Sequence, residues 1–233
     1  IILLIIFIRH ELSADSPVIN MKLFTGSRMF CLSNLAALLN YGASYAVSYL
    51  LSIYLQSVQG FSSSAAGLIL ITNPVFQTIL SPLMGKLSDR IAPYRLASAG
   101  MALTAVGIFM FVFTTQQLHI LYVLAALSII GIGFALFSSP NTNAVMGCVD
   151  KKNYSVASSI LATSRSIGHT VSMAIVSSVV AVTVGNITLA SASDESIVSA
   201  MRVSFIIFTV LCVAGVFCSM CRREVSISGD ADK

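Results

Sequence analysis

Six apolar runs, each about twenty residues or longer, govern what this chain can fold into. They lie at about 28–55, 63–84, 95–115, 119–140, 155–184 and 202–221, separated by short stretches rich in turn residues or charge. Roughly twenty predominantly apolar residues are what a helix needs to cross the hydrocarbon layer. A transmembrane strand would alternate apolar and polar over about ten residues, whereas these runs are apolar all round. With 56% hydrophobic and only 9% charged residues, no stretch reads as a soluble domain. The expected fold class is an all-α polytopic membrane protein in which residues 28–221 form a six-helix unit.

The chain opens on "IILLIIFI", with no Met and no basic region ahead of it. Residues 1–8 are too short to span and read as the end of a truncated helix, and a signal peptide is not expected. Charge then orients the spans, because Lys and Arg in short loops stay cytoplasmic. Arg9, Lys22, Arg28, Lys86, Arg90, Arg95, Lys151, Lys152, Arg222, Arg223 and Lys233 fall on one face, eleven of the thirteen basic residues. Residues 9–27 become a cytoplasmic connection and 222–233 a cytoplasmic tail. This asymmetry accounts for the net charge of +4, and nothing calls for a nucleic-acid partner.

Between the second and third spans the chain gathers Lys86, Asp89, Arg90 and Arg95 within ten residues. A basic inside loop is ordinary in polytopic proteins; the spacing adds something. Gly85-Lys-Leu-Ser-Asp89-Arg90, with Arg95, resembles the G-x-L-x-D-R-x-G-x-x-R loop of the major facilitator superfamily, with Ala92 where that family usually has Gly. "LFTGSRMF", "SIYLQSVQGFSSSAAG", "SSPNTNAVM" and "ASSILATSRSIGHTVSMAIV" are similar to the fourteen-helix drug:proton antiporters of EmrB/QacA type, over residues 20–221. The resemblance implies the six-helix C-terminal bundle of a transporter, plus the tail of a preceding helix. It also implies a loop that latches the cytoplasmic face, with Gly85, Asp89, Arg90 and Arg95 as its working residues. Asp89 is expected just ahead of the helix beginning near residue 94, where free amides favour a carboxylate, and within reach of Arg90 or Arg95. A static cap with basic anchoring is the alternative.

Polar residues inside a span are expensive and usually face the bundle interior. On the first span Asn34, Tyr41, Tyr45, Ser48, Ser52 and Gln56 recur at near-helical steps. Tyr41 and Tyr45 suit a cavity for apolar or cationic compounds through stacking and cation–π attraction, while Tyr54 suits interfacial anchoring. Asn73 and Gln77 stand one turn apart on the second span, and Pro74 predicts a bend there. Asn34, Tyr41, Tyr45, Asn73 and Gln77 are the candidate cavity residues. The glycines of the third and fourth spans read as packing seams. In the fifth span Arg165 and His169 share a face, as a gating or proton-relay pair or, for Arg165, a snorkelling cation.

All nine acidic residues fall in loops or tails, so a membrane-embedded proton carboxylate is not expected within this chain. Cys218 and Cys221 end a span without a second pair, which favours packing over metal binding, and Asn186-Ile-Thr188 matches a glycosylation pattern. No phosphate-binding loop or nucleophile triad occurs, so neither enzyme activity nor a cofactor is expected. What the residues and the resemblance imply is secondary active, proton-coupled efflux of drug-like or lipophilic cationic compounds across the plasma membrane. The expected partners are an N-terminal transporter half, a small-molecule substrate, protons and the lipid bilayer. The alternatives are a metabolite or osmolyte facilitator, and a non-transporting subunit or remnant.

Overall fold

In hydrocarbon a backbone amide finds no water, so a lone segment satisfies its own polar groups only by coiling into a helix. The computed structural model describes residues 27–185 and 193–221, and every regular element among them is helical. Helix α1 runs Arg28–Ile53, started by Ser27, whose hydroxyl accepts from the Phe30 amide at 3.2 Å. It passes into a π-helical turn at Tyr54–Val58, and Gly60, at φ 70°, lets the chain reverse. Helices α2 (Ser63–Leu70) and α3 (Thr72–Ser88) share one span broken at Ile71. Pro74 supplies the reason: it has no N–H to give Leu70, so the ladder lapses where the sequence predicts a bend.

Pro93 opens α4 (Pro93–Met110) at a position where a missing amide costs nothing. Helix α5 covers Ile120–Met146, α6 Tyr154–Val184 and α7 Asp194–Met220. Ser193 caps α7, and Asp194 and Glu195 lie in its first turn, against the positive end of the helix dipole. The expectations for residues 1–8, for nearly all of the 9–27 connection, for Asn186-Ile-Thr188 and for the 222–233 tail lie outside the described residues.

Helix α1 occupies the middle of the bundle and packs on α5, α6 and α7, while α4 packs on α5 and α7. Ser63–Ser88, Pro93–Phe113, Ile120–Met146, Lys151–Val184 and Asp194–Met220 are long and apolar enough to cross a membrane. Helix α1 is as long, but Ser33, Asn34, Asn40 and Ser44 dilute its apolar character, and all four are buried among neighbouring helices rather than set in lipid. Helix α3 is the opposite case. It packs chiefly on α5 and leaves Val75, Ile79 and Leu83 exposed.

Close backbone approach holds the pairs together. A Cβ on Gly100 of α4 would lie 2.6 Å from the Gly133 carbonyl oxygen, and one on Gly133 of α5 would lie 2.8 Å from that of Gly100. A Cβ on Gly42 would likewise fall 2.8 Å from the Gly168 carbonyl, and one on Gly168 would collide with the Leu38 carbonyl, which joins α1 to α6. At the far end of α1, Tyr54 is wholly buried and donates to the Thr115 carbonyl at 2.6 Å. It is a core residue, not the interfacial anchor that the sequence suggests, because the π-turn swings it inward over the α4–α5 connection.

Candidate functional site

Because α3 leans on α5 and not on α1, a gap of about 220 Å³ opens where α1, α3, α5 and α6 converge. Tyr41, Ser44, Tyr45 and Ser48 face it from α1, at the three-to-four-residue steps that share a helix face. Asn73, Pro74 and Gln77 line it from α3, just after the break at Ile71; Phe134 of α5 and His169 of α6 complete it. Five sequence-predicted residues therefore meet in one cavity: Tyr41, Tyr45, Asn73, Gln77 and His169.

The walls are ordered by ring contacts. Tyr45 stacks on His169 at 4.7 Å and 20°, and Tyr41 meets Phe134 edge-on at 4.8 Å. Such pairs contribute about 0.5–1.5 kcal/mol beyond their burial. Arg165, one turn before His169, places its guanidinium 4.7 Å from the centre of the Tyr41 ring and donates to the Thr142 hydroxyl at 3.1 Å. Thr142 in turn donates to the Ser138 carbonyl, and the Ser138 hydroxyl shares a 2.8 Å hydrogen bond with the Tyr41 hydroxyl. Helices α1, α5 and α6 are thus tied at one corner of the cavity. Arg165 packs inward there and makes no ion pair with a described residue.

Asn34 is placed elsewhere. Its amide donates back to the Phe30 carbonyl at 2.9 Å and its oxygen accepts from Ser164 at 3.3 Å, so it serves the α1–α6 contact and does not line the cavity. At the loop between α3 and α4, a Cβ on Gly85 would stand 3.1 Å from the Ser139 hydroxyl, and Ser88 accepts from Asn143 at 2.6 Å, so α3 closes on α5 there. Asp89 is exposed at the C-terminal end of α3, and Ala92, not Asp89, occupies the cap position of α4. The turn through Arg90–Ala92 holds the carboxylate off the α4 amides. Among the described residues Asp89 forms no ion pair, and Arg95 donates to the Tyr94 hydroxyl at 3.2 Å.

Residues 34–229 match the family model of the Major Facilitator Superfamily. The chain belongs to that superfamily. Among relatives, multidrug resistance protein Stp of Mycobacterium tuberculosis is 30% identical over 176 residues, which cover 76% of this chain and 32% of Stp. Riboflavin transporter RibZ of Clostridioides difficile is 25% identical over 76% of this chain and 39% of its own length. Lincomycin resistance protein LmrB of Listeria monocytogenes is 22% identical over 73% and 36%. The chain therefore spans about a third of the curated relatives it matches. In fold it is similar to a bacterial homologue of the human drug peptide transporters PepT1 and PepT2, with a TM-score of 0.71, 18% identity, and coverage of 83% of this chain and 40% of that one.

As a six-helix superfamily bundle, the chain brings its polar α1 and α6 stripes to one side of α3, and that is where the cavity lies. The sequence signal missed Ser44, which lies a turn from both Tyr41 and Ser48 and was legible on spacing alone. Phe134 sits in an apolar run where nothing distinguishes a wall residue from a packing one. Asn40 is wholly buried and its amide atoms have no partner; the structure gives no account of it.

Proposed function

We infer that the chain is the C-terminal bundle of a secondary active transporter of the fourteen-helix type, which moves drug-like compounds out across the plasma membrane by alternating access. The observation that supports this most directly is the cavity itself. Its ring-bearing wall of Tyr41, Tyr45, Phe134 and His169 and its amide wall of Asn73 and Gln77 face each other across a gap sized for part of a small molecule. Similarity to Stp and LmrB favours efflux, and an N-terminal half would supply the opposite wall. In this reading the ends of the bundle and residues 222–233 lie in the cytoplasm, which the basic loops favour and a reporter fused after Lys233 reads out.

In this reading Gly85, Asp89, Arg90 and Arg95 form a loop whose carboxylate engages a partner in only one transport state. Proton coupling falls to His169 or to the N-terminal half, because Asp89, Asp150, Asp194 and Glu195 all sit at helix ends. Similarity to RibZ favours a second reading, export or uptake of a heterocyclic metabolite through the same cavity. The test is transport by the full-length gene product in an efflux-deficient host. Tyr45→Ala and Gln77→Ala are expected to cut efflux of a fluorescent drug by roughly tenfold or more with unchanged membrane levels; undiminished efflux would remove the cavity from the substrate path.

A further inference from the structure

Resting on the reading that this cavity binds the transported compound, we propose that it takes planar aromatic ligands bearing negative charge in preference to lipophilic cations. A cation would need what the sequence suggested, free aromatic faces on Tyr41 and Tyr45. Each ring already has one partner against it. The Tyr41 ring already has the Arg165 guanidinium 4.7 Å from its centre, and Tyr45 is stacked on the His169 imidazole at 4.7 Å. At Tyr41 an incoming cation would have to displace the built-in one or sit beside it.

The charge balance points the same way. None of the described acidic residues lines the cavity. Arg165 has only neutral partners, the Thr142 hydroxyl and the Tyr41 ring, and its Nε is buried with no hydrogen-bond acceptor. Arg165 is half-buried and lies against the Tyr41 ring rather than in the cavity wall, so its charge acts on the gap across that ring and favours negative charge at the Tyr41 end.

Two further groups describe the rest of the ligand. Ser44 Oγ and Asn73 Oδ1 belong to residues that are nine-tenths buried and line the cavity, and neither atom has a partner. The Asn73 oxygen accepts a ligand N–H or O–H, and the Ser44 hydroxyl gives or takes one. Tyr45 is 45% exposed, which leaves ring surface for a flat ligand. The ligand that fits this arrangement is a flat ring system with its anionic substituent at the Tyr41 end, the side nearest Arg165, and a hydrogen-bond donor toward Asn73.

Acridine-9-carboxylate and 9-aminoacridine share one ring system and carry opposite charge at neutral pH. Fluorescence titration of the purified full-length gene product is expected to show the carboxylate binding roughly tenfold tighter than the amine. Arg165→Gln should bring the two within about twofold, while Arg165→Lys, which keeps the charge, should retain most of the difference. Equal or tighter binding of the amine by the unmodified protein, weakened by Tyr45→Ala, would overturn the charge assignment and leave the cavity as the binding site. Binding of both probes that ignores Tyr45→Ala would overturn the assignment and the cavity reading together. Because the comparison of the two probes needs no substitution, a poorly folded variant leaves the primary result intact.

Discussion

At Gly168 the absence of a side chain is what allows α6 to lie on α1. Its missing Cβ would occupy the space of the Leu38 carbonyl, a backbone atom that has nowhere to go, and Gly42 meets it from the other side. Gly168→Ala is therefore expected to destabilise the bundle by about 1–3 kcal/mol, seen as a lower thermal midpoint in detergent. An unchanged midpoint would show that the helices part without cost. Single residues were unevenly legible in the sequence. Tyr41, Tyr45, Asn73, Gln77 and His169 announced themselves as polar or aromatic positions at helical steps, and they meet. Asn34 obeyed the same spacing but meets Ser164, because seven residues set it about 10.5 Å along α1 from Tyr41, outside the cavity.

Among the elements, the loop after α3 separates stability from activity most cleanly. Asp89 is exposed, forms the C-cap of α3 through its backbone alone and pairs with no described cation, so its carboxylate holds nothing together in this state. Asp89→Ala should leave the thermal midpoint within the equivalent of about 0.5 kcal/mol while it cuts transport by the full-length gene product. Equal transport by the variant would reduce the loop to basic anchoring. Helix existence and order were plain from apolar length, and the break at Ile71 was foreshadowed by Pro74. The π-turn at Tyr54–Val58 was not, because no residue type marks it and its effect, burial of Tyr54, depends on the α4–α5 connection.

For the molecule as a whole, the cavity is a polar cleft among α1, α3, α5 and α6. Residues 1–233 expressed alone in an efflux-deficient host are expected to confer no resistance to lipophilic compounds, since exposing strongly polar groups to lipid costs roughly 1–3 kcal/mol each. Resistance conferred by these residues would show that this bundle transports unaided. The all-helical plan was legible because bilayer thickness leaves so few alternatives, whereas the lean of α3 onto α5 follows from contacts no span reveals singly. That lean has a mechanical consequence. Helix α3 touches α5 at two clamps, Asn73 and Phe76 against Gly131 at one end, and Gly85 with Ser88 against Ser139 and Asn143 at the other. From Asn73 to Asp89 is sixteen residues, a rod of about 24 Å. Because Gly85 and Ser88 lie within four residues of Asp89, a ligand that wedged Asn73 away from Gly131 would swing the Asn73 end of that rod while its charged tip turned almost in place at the pivot.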